Sequence, residues 1–188
     1  MLYIKFNIED PSKYIDFQKL YNHMVEVRQP GYKFKEEDGP EIDWDSLTDQ
    51  EMTEVIDKLF EEPEVIRYKE FIPDYAHQFL GSYVGFENER AGDFGFETSE
   101  IFNYLEFSFE VELDNLERKN ENDGLIEFST GNFPFGGIER FLITLKAFDI
   151  RPAEYFDGFA IHEVDWTSDF AYDTIELPGK TSQYLKGK

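Results

Sequence analysis

Residues 36–62 carry twelve acidic side chains and a single basic one, Lys58, and this concentration of charge restricts how the chain can fold. Carboxylates at this density repel one another and lose hydration when they are buried, so most of them must face water. An amphipathic helix meets that demand because it turns its apolar residues inward and its charges outward. The segment therefore predicts a loop followed by a docked amphipathic helix.

The spacing of residues inside this segment locates the helix. Thr48 and Glu51 have the spacing of a capping box, which favours a helix start at this point, and Pro63 ends the pattern. The side chains predicted to form its buried stripe recur at helical spacing. They are Met52, Val55, Ile56, Leu59 and Phe60.

The remaining chain has enough apolar surface for a folded core. Its 188 residues include 20 Phe, 11 Tyr and 2 Trp, and 40% of all residues are hydrophobic. This aromatic content distinguishes the chain from disordered chains of similar charge. We expect one acidic domain over residues 1–188, with a loosely attached C-terminal tail from about residue 168.

Strand and helix patterns alternate along the chain. Apolar and polar residues alternate over Leu2–Ile8, which predicts a strand, and Asp10 before Pro11 predicts the start of a helix over Pro11–Val27. A short helix is expected over 74–84. Alternation over 105–113 predicts a half-buried strand whose outer face is acidic. The acids of that face are Glu106, Glu110 and Glu112.

The C-terminal half predicts further strands and one more helix. GLIEFST is expected to pair with the preceding strand, GNFPFGG to form a tight structural turn, and 138–149 to form a helix. Pro152 and Gly158 are expected in the connection to a last strand, FAIHEVDW. The predicted fold class is α+β, a mostly antiparallel sheet with about three helices packed on one face.

No pattern in the sequence points to a catalytic centre, a cofactor or a metal. The chain has no cysteine, and His23, His77 and His162 lack metal-ligand spacing. Asp43, Asp45 and Glu54 match three positions of a calcium-binding EF-hand loop, but the ligand and glycine positions between them do not match. We therefore expect no enzyme activity, no bound metal and no cofactor.

Charge and hydropathy also limit the partners and the location. With 41 acids against 18 bases, a net charge of −23, the chain is expected to avoid nucleic acid and anionic membranes and to bind a basic protein. The N-terminal residues do not resemble a secretory signal, and no stretch is apolar enough to span a membrane. We expect a soluble cytoplasmic protein.

The predicted partner-binding surface lies on the acidic segment. Trp44 is expected to be buried; the alternative is that it anchors an interface, since aromatic residues inside a polar rim make binding hot spots. The residues assigned to the surface are Glu36, Glu37, Asp38, Glu41, Asp43, Trp44, Asp45, Glu51 and Glu54.

One short stretch resembles a known family. FIPDYAHQFLGSYVG, with Pro73, Tyr75, Phe79 and Leu80, resembles the SMI1/KNR4-type immunity proteins. In size, acidity and α+β order, the chain also looks like bacterial toxin-immunity proteins more generally. The resemblance implies a non-enzymatic protein that neutralises a toxin by covering its active surface, and it assigns no individual residue a role.

Three other functions remain open from the sequence. A DNA mimic or phage-type inhibitor of a nucleic-acid-binding enzyme predicts an elongated acidic ridge. An enzyme with an acidic cleft predicts a pocket with carboxyl groups of perturbed pKa. Acidity that serves only solubility predicts no defined surface, and an interface on the Glu106, Glu110 and Glu112 strand face is the alternative to the acidic segment.

Overall fold

The structure is a computed structural model that describes residues 1–34, 42–61, 63–92, 97–130 and 138–187, with the backbone alone at 45, 57–61 and 63–66. The described residues form six strands and seven α-helices. The strands are β1 (Leu2–Ile8), β2 (Glu112–Arg118), β3 (Asp123–Ser129), β4 (Ile150–Phe156), β5 (Ile161–Trp166) and β6 (Tyr172–Glu176). The helices are α1 (Pro11–Val27), α2 (Asp49–Glu61), α3 (Pro63–Phe71), α4 (Asp74–Ala91), α5 (Thr98–Asn103), α6 (Ile138–Ala147) and α7 (Pro178–Lys186).

The six strands form one antiparallel sheet in the order β2-β3-β1-β4-β5-β6. Strand β1 lies inside the sheet and is mostly buried, so its apolar residues are covered on both faces. Ile4 of β1 pairs with Ile126 of β3 on one side and with Tyr155 of β4 on the other. The predicted α+β fold with a mostly antiparallel sheet is confirmed.

The main core lies between one face of the sheet and the helices that cover it. Phe6 of β1 packs against Tyr14 of α1, with their ring centroids 6.3 Å apart. Phe17, one turn further along α1, contacts Phe141 of α6 and Phe148 just after it. All of these rings except that of Tyr14 are less than 2% exposed, so helix α1 is fixed by aromatic packing against the sheet and α6.

Helix α1 begins and ends where the sequence predicts. The side chain of Asp10 accepts hydrogen bonds from the backbone N–H and the hydroxyl of Ser12, at 2.8 and 2.7 Å. Pro11 occupies the first helical position, where its missing N–H costs nothing. The hydrogen bonds from Ser12 hold the pKa of Asp10 below its ordinary value, so the cap is ionised at neutral pH.

The predicted strand over 105–113 is wrong in most of its length. Residues Tyr104–Ser108 form a π-helical turn that continues α5, closed by a 2.7 Å hydrogen bond from the Phe109 N–H to the Tyr104 carbonyl, and β2 starts only at Glu112. The helix predicted over 74–84 is present as the longer α4, which runs to Ala91 and is followed by the capping residue Gly92. The predicted GNFPFGG turn, 131–137, lies outside the described residues.

The prediction of a loosely attached tail from about residue 168 is also wrong. Strand β6 pairs with β5 along its whole length, and α7 follows it. Tyr184 of α7 packs on Tyr3 and Phe156, with ring centroids 5.5 and 4.9 Å away. Tyr3 and Phe156 lie opposite each other in the β1–β4 register. Successive residues of a strand face opposite sides of the sheet, so Tyr3 faces away from the side on which Ile4 meets the main core. Helix α7 therefore covers the sheet face opposite α1.

Candidate partner-binding surface

The described part of the predicted surface starts at a 3-10 turn formed by Trp44–Ser46. The Ser46 N–H and hydroxyl both donate to the Asp43 carbonyl, at 3.1 and 2.9 Å, and the Leu47 N–H donates to the Trp44 carbonyl at 3.4 Å. Trp44 is 42% exposed. The expectation that Trp44 is buried is therefore wrong, and a large aromatic ring stands in solvent beside an acidic residue.

Helix α2 begins with the predicted capping box. The backbone N–H and the hydroxyl of Thr48 donate to one carboxylate oxygen of Glu51 at 2.9 and 2.7 Å, and the Glu51 N–H donates back to that hydroxyl at 3.4 Å. The hydrogen bonds from Thr48 lower the pKa of Glu51. Glu51 therefore fixes the start of the helix and adds a negative charge to its first turn.

The predicted inner stripe of α2 is only partly covered. Met52 and Val55 are half-buried, whereas Ile56 is 37% exposed. Leu59 and Phe60 lie where only the backbone is described. Because α2 packs mainly on α3 and places no described side chain in the main core, it presents apolar as well as charged groups to solvent.

The acids of this segment have no basic partner among the side chains that the structure describes. Among the described side chains, no Lys, Arg or His nitrogen lies within 4 Å of the carboxylates of Asp43, Asp49, Glu51 or Glu54. The neighbour of Glu54 is Gln50, whose amide donates to it at 3.2 Å. We call the group Asp43, Trp44, Glu51 and Glu54 the α2 surface.

The structure describes only part of the predicted site. Asp43 and Trp44 lie in the turn before α2, and Glu51 and Glu54 lie one helical turn apart on α2. Asp45 is described by its backbone alone. The four remaining predicted residues lie outside the described residues: Glu36, Glu37, Asp38 and Glu41.

The alternative interface on an acidic strand face is contradicted at its first member. Glu106 is buried, and its carboxylate lies 2.6 Å from His23 Nε2 and accepts a hydrogen bond from Arg67 Nε at 3.2 Å. The His23 ring stacks on Phe71 with ring centroids 4.0 Å apart, and the Arg67 guanidinium lies over the ring of Phe34 at 4.4 Å. Glu106 is thus an internal link between α1, α3 and the π-helical turn.

Arg28 closes the end of α1 against the same turn. Its guanidinium donates to the Met24 carbonyl at 2.6 Å, to Leu105 at 2.8 Å and to Phe109 at 2.9 Å. These carbonyls lie at a helix end and in irregular backbone, where partners are otherwise scarce. These hydrogen bonds make Arg28 a structural clamp that the sequence alone did not reveal, and burial lowers its pKa.

Glu154 of β4 is a buried carboxylate on the other sheet face. It accepts hydrogen bonds from Lys5 and Lys180, both at 2.7 Å, and from the Tyr3 hydroxyl at 2.9 Å. Burial alone raises the pKa of Glu154, but the hydrogen bonds from Lys180, Lys5 and Tyr3 outweigh it and leave the pKa below its ordinary value. Because Lys180 belongs to α7, this carboxylate fastens the C-terminal helix to the sheet.

Replacing Glu154 with Gln is expected to lower the free energy of unfolding by about 1–2 kcal/mol at neutral pH, because charge-assisted hydrogen bonds are lost. A depressed pKa in the folded state stabilises the protein above the unfolded-state pKa, near 4.5, and this stabilisation disappears as the pH falls through the folded-state pKa. The difference between wild type and variant should therefore shrink at acid pH.

Urea unfolding at neutral and acid pH measures this effect. Glu163→Gln is the matched control, since Glu163 is exposed and lies opposite Glu154 in the β4–β5 register. If Glu154→Gln lowers the free energy of unfolding equally at both pH values, the role assigned to the Glu154 charge is wrong.

The described residues contain no group of three or more His, Cys, Asp or Glu side chains placed to hold a metal ion. None of their helices has both the length and the apolar character needed to cross a membrane. Four described carboxyl groups have a shifted pKa, and in each the pKa is lowered: Asp10, Glu51, Glu154 and Asp157.

Searches against protein-family models, curated proteins and solved structures found no match to this chain.

Proposed function

We propose that this chain is a non-enzymatic acidic protein that binds and masks a basic protein, and that the masked protein is a toxin neutralised in the manner of an immunity protein. The observation that carries the proposal is the exposure of Trp44 at 42% beside carboxylates that no described basic side chain neutralises. An aromatic residue in a charged rim is the usual composition of a binding hot spot.

The surrounding charge suits a basic partner for two reasons. A net charge of −23 attracts a cationic protein toward the acidic segment and raises the association rate. The same charge makes contact with nucleic acid or an anionic membrane unfavourable. The repulsion within 36–62 is relieved when a cationic surface covers it, so binding removes a conflict that the free protein retains.

The enzyme hypothesis is less well supported by the same residues. A carboxyl group that acts as a general acid needs a pKa raised toward neutrality. The shifted carboxyl groups in the described part of the chain have lowered pKa values. The DNA-mimic hypothesis shares the acidic surface but predicts a different partner, a nucleic-acid-binding enzyme, and is separated by experiment.

The test begins with proteins of the native host retained on the immobilised chain at low salt and identified by mass spectrometry. The retained protein is then purified, and its association with a six-fold amide variant is measured by stopped flow. The variant replaces Glu36, Glu37, Asp38, Glu41, Asp43 and Asp45. Glu51 is left unchanged because it caps α2.

We expect a basic toxin as the retained protein, an association rate lowered about tenfold or more in the amide variant, and a rate that falls with salt as the Debye length shrinks to about 3 Å at 1 M. Trp44→Ala should instead speed dissociation. The control removes six exposed charges elsewhere: Glu70, Glu89, Glu110, Glu112, Asp114 and Glu121. If the control slows association and the amide variant does not, the acidic segment before α2 is the wrong interface. Retention of a DNA-binding enzyme supports mimicry.

A further inference from the structure

Strand β6 ends the described sheet with an exposed edge. It pairs with β5, and the order of the sheet places no described strand on its other side. Asp173, Thr174, Ile175 and Glu176 are all exposed, Ile175 by 51%. An exposed edge of this kind is a template for pairing with another strand.

The hydrogen bonds at both ends of the β5–β6 ladder show which backbone groups point outward. The Thr167 N–H donates to the Ala171 carbonyl at 3.0 Å, and the Leu177 N–H donates to the Ile161 carbonyl at 2.8 Å. In an antiparallel pair the bonded residues alternate with unbonded ones, so every second residue between these ends turns its backbone away from β5. The outward residues are Tyr172, Thr174 and Glu176.

The two edges of the sheet differ in a way that favours pairing at β6. Strand β2 forms the opposite edge and carries an irregularity at Asp114, where its register with β3 shifts. Bulges of this kind protect an edge against further pairing. The register of β6 with β5 runs without a shift from Tyr172 to Glu176, and the strand contains no proline or lysine.

The β5–β6 hairpin is held firmly enough to act as a preformed template. The indole N–H of Trp166 donates to the Pro152 carbonyl at 2.8 Å, and Lys146 donates to the Asp169 carbonyl at 2.6 Å. At the other end, the Ile161 N–H donates to the Thr181 hydroxyl of α7 at 2.9 Å. A partner strand would therefore meet an ordered edge and lose little free energy in ordering it.

The charges on the hairpin select the chemistry of the partner strand. Asp173 lies directly opposite Asp165 in the register, a like-charge pair that the free protein tolerates on its surface. A second copy of this chain would add further acids at that edge. A strand with Lys or Arg opposite Asp173 and Glu176, and an apolar residue opposite Ile175, would relieve the repulsion and cover the exposed side chain.

We propose that the outer edge of β6 binds an extended basic segment of a partner protein by strand addition. The proposal concerns a surface other than the α2 surface, and it stands whether or not a toxin is the partner. Its probe is a short capped peptide, Lys-Val-Thr-Arg-Val, added to isotopically labelled protein. The readouts are backbone amide shifts and hydrogen exchange of Thr174 and Glu176.

We expect saturable shifts confined to β6 and its neighbours, with slower exchange of the Thr174 and Glu176 amides. Thr174→Pro removes an outward N–H and leaves the bonds to β5 intact, so it should weaken peptide binding about tenfold or more without unfolding the sheet. If that variant is unstable, Asp173→Lys with Glu176→Lys tests the charge selection and should abolish binding of the basic peptide.

Two controls separate strand addition from simple charge attraction. The peptide Lys-Pro-Thr-Pro-Arg keeps the basic charge and cannot pair as a strand, so it should not protect the amides. Equal binding of this peptide, or undiminished binding to a folded Thr174→Pro variant, would overturn the proposal. A dimer in sedimentation that Thr174→Pro disrupts would assign the edge to a second copy instead. Failure at β6 leaves the proposed interface at the acidic segment untouched, since the amide variant and Trp44→Ala test that interface separately.

Discussion

Replacing Glu106 with Leu is expected to lower the free energy of unfolding by about 3–5 kcal/mol, the usual cost of removing one member of a buried charged group. The Glu106 carboxylate is fully buried against His23 and Arg67. After the substitution, His23 loses its 2.6 Å partner and the Arg67 guanidinium loses its carboxylate in a site that water does not hydrate well. Urea unfolding followed by circular dichroism measures the change.

Two comparisons show whether the burial of the charge causes this effect. Glu110→Leu changes a nearby exposed acid and should leave stability almost unchanged. The double variant Glu106→Leu with Arg67→Met removes both charges and should recover part of the loss, because an apolar pair of similar size tolerates burial. Equal effects of the Glu106 and Glu110 substitutions would contradict the assigned role.

The same residue marks where the sequence pattern misleads. Leu105, Phe107 and Phe109 alternate with polar residues and so predict a strand, but the chain continues α5 as a π-helical turn. In that turn Leu105 and Glu106 are both buried, while Phe107 is 55% exposed. The period of the pattern predicted the wrong element because the buried partners of Glu106, His23 and Arg67, are distant in sequence and local spacing does not reveal them.

The sequence pattern does not predict β4 or β6, because residues within and near each strand favour a loop. Pairing with neighbouring strands of the sheet nevertheless makes both segments extended. Pro152 predicts a loop between elements, yet it lies within β4, opposite Phe6 of β1. The register of the β1–β4 pair shifts next to this position, between Lys5 and Phe6, and a residue without an N–H is tolerated at such an irregularity. The segment from about residue 168 is predicted to be a tail because it contains Pro178 and Gly179 and ends in basic residues. Its pairing with β5 and the packing of Tyr184 against Tyr3 become visible only in three dimensions.

Features that depend on adjacent residues were predicted better. Strand β1 and helix α1 have the predicted bounds, because the Asp10 cap and Pro11 fix the helix start locally. The capping box of Thr48 and Glu51 is present for the same reason. The exposure of Trp44 depended on how far α2 docks, and the open edge of β6 depended on strand order, so neither followed from spacing.

Replacing Gly124 with Ala is expected to lower the free energy of unfolding by about 3 kcal/mol, the upper end of the range for overpacking a core. Gly124 of β3 lies opposite Phe6 of β1, and the Phe6 ring packs over it. A Cβ atom at position 124 would lie 2.3 Å from Cε2 and Cζ of Phe6 and 3.0 Å from the Glu117 carbonyl oxygen. Phe6 is 1% exposed, so its ring cannot turn toward solvent without giving up its buried contacts.

The clash with Phe6 can be separated from a general intolerance of substitution. Gly85→Ala in the middle of α4 is the control, because a Cβ there meets no atom within 4 Å, and it should stabilise the protein by about 0.5–1 kcal/mol. Phe6→Leu removes ring atoms that the new methyl group would meet, so Gly124→Ala should cost much less in that background than in wild type. Thermal unfolding of the four variants measures the coupling, and strictly additive effects would show that the Phe6 ring is not the obstacle.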